Sequence, residues 1–201
     1  TAFSRNALGE IDDLRSTALN VGKQTVEGYD MTLNYRVELG DYGKLSFNWD
    51  TTYMANNESD YNADGVIDAD DGGSIVGLYF DRSNNWEYRS NLMTTWTMGD
   101  IGATWSTRFY SGQTEDCSDM VYYGWGELCS DEANEENYMG ATTYHDLSFF
   151  YSTPWKGKVT LGLNNAFAKD PPVSYSTFAN SFDPQYEVPG RFWYMRYEQQ
   201  F

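Results

Sequence analysis

One histidine, two cysteines and five prolines among 201 residues exclude several kinds of chemistry. His145 is the single histidine, and no Ser-His-Asp set, metalloprotease motif, phosphate loop or nucleotide fingerprint occurs. The chain reads as a non-enzyme. No stretch approaches the roughly eighteen apolar residues that a spanning helix needs, and mean hydropathy is -0.65. Positive charge is scarce: 13 Lys and Arg stand against 30 Asp and Glu, a formal charge of -17. That excludes nucleic acid as a partner gripped through phosphates and disfavours docking on an anionic membrane surface. Aromatics are plentiful, with 17 Tyr, 11 Phe and 7 Trp. Such a chain is no disordered acidic tail.

The ordered-looking stretches share a two-residue period, the mark of a strand with one apolar face. Tyr29, Met31, Leu33, Tyr35, Val37 and Leu39 alternate with Asp30, Thr32, Asn34, Arg36 and Glu38. Leu45, Phe47, Trp49, Thr51 and Tyr53 continue the pattern, as do Trp86, Tyr88, Leu92, Trp96 and Met98. Then come Ile101 to Phe109, Leu147 to Tyr151, Val159 to Phe167 and Trp193 to Phe201. Seven strands are expected and no helix. Short connections (Gly40–Gly43, Gly99–Asp100, Thr153–Gly157) alternate with long ones at about 57–84, 113–140 and 168–189. Short turns on one side and long loops on the other suit an outer-membrane barrel, with Trp and Tyr girdles at the strand ends. The charged face, with Asp30, Arg36, Glu38, Lys44, Asp50, Glu87, Arg89 and Arg108, then fits a wet lumen. A sheet with one solvated face on a soluble sandwich reads similarly.

Cys117 and Cys129 are separated by eleven residues of one polar loop, with no second pair to complete a zinc site. A disulfide and an oxidising compartment are the economical reading; two free thiols are the alternative.

Several segments resemble the TonB-dependent outer-membrane receptors. They are Asn20-Val21-Gly22 with Val26-Glu27-Gly28-Tyr29-Asp30, Trp86 to Leu92, and Tyr186-Glu187-Val188-Pro189-Gly190-Arg191-Phe192-Trp193-Tyr194 closing on Phe201. The resemblance covers residues 20–201. It implies an all-β, antiparallel transmembrane barrel segment of about seven strands from a 22-stranded barrel, the plug domain being absent from this chain. It further implies a place in the bacterial outer membrane and active import of a scarce nutrient such as a siderophore or oligosaccharide. The implied partners are outer-membrane lipid, a small nutrient at the outer loops, TonB through a missing N-terminal part, and the barrel-assembly machinery, to which Phe201 is presented. Gln199 departs from the apolar residue expected two before that Phe. Lumenal Arg36, Glu87, Arg89 and Arg108 become candidates for plug contacts. The start at Thr1, without Met or an apolar signal region, suits the back end of a longer chain. A self-contained small barrel, or a calcium-stabilised adhesin or carbohydrate-binding β-protein, remains an alternative.

Residues 57–82 and 113–137 hold 15 of the 30 acids and one basic residue, Arg82. Within the first loop, Asp60, Asn62, Asp64, Asp68 and Asp71 fall at positions 1, 3, 5, 9 and 12 of a twelve-residue calcium loop. Gly65 takes the turn position, and Val66 would offer its backbone carbonyl. A structural Ca2+ is expected there, against the alternative of a solvated acidic loop. In the second loop Tyr122, Tyr123 and Trp125 form either a stacking surface for a flat ligand or loop-on-loop packing. His145 shares the phase of Leu147 and Phe149, a place for an interfacial ring rather than a general base.

Overall fold

The computed structural model describes residues 3–14, 23–60, 66–67, 72–80, 83–176 and 183–200. Its strands are β1 (Phe3–Arg5), β2 (Ile11–Leu14), β3 (Gln24–Glu38), β4 (Lys44–Ser59), β5 (Leu78–Phe80), β6 (Ser83–Asn84) and β7 (Tyr88–Met98). There follow β8 (Ile101–Tyr110), β9 (Gln113–Asp116), a single helical turn α1 (Ser118–Tyr122), β10 (Glu136–Met139), β11 (Thr142–Ser152), β12 (Gly157–Asn164) and β13 (Phe192–Gln199). Two compact units are present: Thr1–Thr25 with Glu58–Gly73, and Val26–Asn57 with Ser74–Phe201.

In the smaller unit β1 and β2 pair antiparallel. Asn6 closes their turn: its Oδ1 accepts from the backbone N–H groups of Leu8 and Glu10, both at 3.0 Å.

The larger unit carries a seven-stranded sheet in the order β13-β12-β11-β8-β7-β4-β3. These are the seven strands the alternation predicts, each beside its sequence neighbour in the sheet. Their tight ends follow from turn chemistry. Gly99 has φ 57° and opens the two-residue link between β7 and β8, so it occupies the position that favours glycine in such a hairpin. At Gly43, with φ 86°, an added Cβ would collide with the Thr97 carbonyl oxygen, which no side chain can tolerate.

Register puts the apolar residues on one face. Across β7, β8, β11, β12 and β13, Thr94, Trp105, Leu147, Leu163 and Trp193 stand in one row. Trp96, Ala103, Phe149, Leu161 and Met195 form the next. This face is uncovered: Leu161 is 53 %, Trp193 70 % and Met195 72 % exposed. Isolated exposed apolar residues are ordinary, but a continuous face of them is not. Ring N–H groups at the short-turn end are satisfied, Trp96 donating to the Tyr42 carbonyl (2.8 Å) and Trp155 to the Tyr197 hydroxyl (3.1 Å). That is how amphipathic rings sit where one side is greasy and the other wet. The opposite face is polar. Thr52 donates to Asp30 (2.6 Å) and Thr32 to Asp50 (2.7 Å), a reciprocal ladder between β3 and β4. On that face the β-carbon positions of Gly102 and Gly162 are occupied by the rings of Phe150 and Tyr194 from the paired strands.

Four expectations change. Trp86 does not join the apolar face. It precedes β7, and its ring turns to the other side, packing on Tyr110 and Tyr186 with 8 % exposure. Phe167 lies beyond the end of β12, past Asn165 at φ 45°, and so leaves the strand. A helix exists after all, but α1 is five residues long and shows no periodicity to read. The long connections are also not plain loops: β9, β10, β5 and β6 make a second sheet in which β5 runs parallel to β9.

Candidate functional site

The second long connection is built around the β9–β10 pair. Gln113 faces Met139 and Glu115 faces Asn137, and all four side chains are buried. Cys117, directly after β9, is bonded to Cys129 with Cα atoms 6.1 Å apart, as the spacing predicts. The bridge closes the segment holding α1 and the next turn. Tyr122, Tyr123 and Trp125 project from that segment at 82 %, 64 % and 52 % exposure. Tyr122 meets Tyr123 edge-on at 5.1 Å and Trp125 lies 6.3 Å from Tyr123. The three predicted rings are thus brought together and face outward. Near the bridge, the Asn134 side-chain amide and backbone N–H hold the Asp131 carboxyl below its ordinary range.

Glu115 is a buried carboxylate with a full set of donors. Oε1 accepts from Asn137 Nδ2 (2.7 Å) and the Tyr175 N–H (2.8 Å). Oε2 accepts from Ser174 Oγ (2.7 Å), Ser176 Oγ (2.8 Å) and the Ser176 N–H (3.3 Å). The third long connection is thereby fastened to the second. Its neck is tied by Asn165, whose Nδ2 donates to the carbonyls of Lys169 (2.9 Å) and Pro189 (3.4 Å). Its returning limb contributes Asp183, which accepts from Tyr79 Oη (2.7 Å), and Tyr186, whose hydroxyl accepts from Trp86 Nε1 (3.0 Å) and Gln113 Nε2 (3.3 Å). Burial raises the Tyr186 pKa above its ordinary value, against the pull of those two hydrogen bonds.

Arg108 is engaged within the chain. Its guanidinium pairs with Asp146 on β11 at 3.1 Å and with Glu187 of the third long connection at 2.5 Å, so two carboxylates of this chain match its charge. Arg89 instead lines an open groove of about 470 Å3 with Asp30, Thr32, Asp50, Thr52 and Asn91 on the polar face. His145 stands on the apolar face as predicted, accepting from Trp105 Nε1 at 3.2 Å and meeting Phe167 edge-on at 5.0 Å.

Of the six residues expected to hold calcium, Asp60 and Val66 are described. Asp60 is buried at 3 % exposure with its N–H on the Lys23 carbonyl, and Val66 is exposed. Asn62, Asp64, Asp68 and Asp71 lie outside the described residues, as do Asn20 to Gly22 and Phe201. Among the described residues no three His, Cys, Asp or Glu come together as a metal site. Sequence reading passed over Glu115, Gln113, Trp86 and Tyr186 as a unit. No local signal in the sequence marks them, since the contacts that join them span 22 to 100 residues.

No protein-family profile matches the chain. No curated protein matches it either. Solved structures do. The siderophore receptor PirA from Acinetobacter baumannii aligns with 97 % of this chain and 25 % of its own, at 15 % identity and a TM-score of 0.54. The ferric-catecholate import receptor Fiu from E. coli K12, in its closed form, aligns with 97 % of this chain and 23 % of its own, at 15 % identity and a TM-score of 0.53. The siderophore receptor PiuA from Acinetobacter baumannii aligns with 86 % and 21 %, at 17 % identity and a TM-score of 0.51. The chain therefore shares the fold of part of these receptors and spans about a quarter or less of their length. All three are receptors, none an enzyme.

Proposed function

We propose that this chain is the C-terminal part of the barrel of a bacterial outer-membrane receptor that imports a scarce nutrient with energy from TonB. One observation carries the reading: a seven-stranded antiparallel sheet with an uncovered aromatic-rich apolar face and a charged opposite face, in the fold of siderophore receptors. Lipid covers the first face and the wet interior of a plugged barrel meets the second. The long connections lie outside the cell, in keeping with the disulfide between Cys117 and Cys129.

The loop charge narrows the nutrient. No Lys or Arg occurs between Arg108 and Lys156, while 113–137 alone holds eight carboxylates. A trianionic iron tris-catecholate would be repelled by this sector; a neutral or cationic chelate fits it, with Tyr122, Tyr123 and Trp125 as a stacking surface. The test is uptake of radiolabelled iron by cells with and without the receptor and with and without TonB. Iron is supplied either as a tris-catecholate chelate or as a cationic trihydroxamate chelate. TonB-dependent uptake of the trihydroxamate form is expected. Uptake unchanged by loss of either protein, for both chelates, overturns the reading.

The 60–71 segment is proposed to bind a structural Ca2+ through Asp60, Asn62, Asp64, Asp68, Asp71 and the Val66 carbonyl. The ligand spacing supports it. Calorimetric titration of the receptor with calcium should give saturable heat, lost in Asp64→Ala. Absence of heat at millimolar calcium removes the site.

A further inference from the structure

The returning limb of the third long connection does not stand clear of the sheet. The side chains that receive it, Tyr110, Arg108 and Tyr144, have the register of the polar face: Arg108 lies opposite Asn91 on one side and Tyr144 on the other. Tyr186, 3 % exposed, sits edge-on to Trp86 at 5.5 Å and to Tyr110 at 5.7 Å. One residue further, Glu187 pairs with Arg108. Asp183 is anchored by Tyr79, and the limb's exit is tied by Arg191 Nε to the Ala166 carbonyl at 2.9 Å. Anchors at residues 183, 186, 187, 189 and 191 fix both ends and the middle of this segment.

We propose that residues 183–191 form a fixed strap across the polar face, one that stays in place while ligand passes and permanently narrows the loop-side mouth of the passage. The word passage rests on the import reading above; the strap itself does not. Three kinds of contact hold it together: a buried aromatic cluster, a two-carboxylate grip on one guanidinium, and a buried asparagine bridging the neck. Such a composite resists piecemeal opening, because lifting Glu187 leaves Arg108 only its pair with Asp146 and draws the buried Tyr186 ring next to Glu187 out of its cluster. Closure over a ligand must then come from other loops, and the strap sets a size limit from the first encounter. Val188 projects from it into solvent, at 46 % exposure.

The test places cysteines at Asn91 and Val188, both exposed and neither an anchor, in the full-length receptor in its membrane. A short bis-maleimide should join them in high yield, and the tethered receptor should import at the rate of the untethered one. A second readout is protease treatment of intact cells: wild type should resist cleavage in 183–191, and Tyr186→Ala should be cut about tenfold faster or more. Failure to cross-link, or equal cleavage of wild type and variant, shows that the strap is not seated. Efficient cross-linking with import abolished shows that it must move. Absence of import in the untethered receptor refutes the transport reading alone, since cross-linking and cleavage report the strap without it.

Discussion

Removing the Glu115 carboxylate should free residues 174–176 of the third long connection from the second, while Tyr186 stays on Gln113 and the large sheet stays intact. Four of its five donors come from residues 174–176: two serine hydroxyls and two backbone N–H groups. The fifth, Asn137 Nδ2, also reaches the Val173 carbonyl at 3.5 Å. A typical hydrogen bond contributes about 1 kcal/mol net and one to a charged group about 1.5–3, and a buried donor left without a partner costs about 1–3 more. Here the segment can lift into solvent, which caps the loss. Glu115→Ala should therefore ease local opening by about 2–4 kcal/mol, or a roughly thirtyfold to several-hundredfold drop in amide protection. Hydrogen exchange read by mass spectrometry on peptides covering 171–176 measures it, with peptides from β11 and β12 as the unchanged control. Glu115→Gln keeps one acceptor oxygen and should fall between. Unaltered exchange in 171–176 would refute the view that this carboxylate clasps the loop.

Three further outcomes are expected. Replacing both Cys117 and Cys129 with Ser should cost about 3 kcal/mol, the chain-entropy value for so short a loop, seen as faster proteolysis within 118–135 and unchanged sheet circular dichroism. Gly162→Val should lower thermal stability by about 1–3 kcal/mol, because its side chain would need the space of the Tyr194 ring on the paired strand; an unchanged melting temperature contradicts that pairing. The raised pKa of Tyr186 means that the folded state keeps a proton the unfolded state has released. Stability from this group is complete below about pH 10 and is lost as pH climbs through the higher folded value. Tyr186→Phe should flatten this alkaline fall in a pH series of thermal melts.

Strand placement was legible because period-two alternation survives without knowledge of partners. Leu161 and Leu163 read as one face whatever lies beside them, and the register confirms it. The two cysteines were legible because only one pairing exists within the chain. Trp86 was misread for an instructive reason: parity counts correctly only inside a strand, and β7 begins two residues later at Tyr88. The backbone between lets the ring cross to the other side. Glu115 was invisible because burial of a carboxylate depends on where its donors are. They lie 22 to 61 residues away, so in a stretch with eight carboxylates nothing local distinguishes it from Asp116 or Glu127. The same holds for Arg108, whose matching acids, Asp146 and Glu187, are 38 and 79 residues distant.

The whole account depends on which solvent each face of the large sheet meets. Single nitroxide labels at successive positions of β12 and β13, such as 160, 161, 194 and 195, in the full-length receptor reconstituted in bilayers, read this directly. Accessibility to oxygen should peak at 161 and 195 and accessibility to a water-soluble nickel chelate at 160 and 194, alternating residue by residue. A uniform response along the strands, or the opposite alternation, would contradict it.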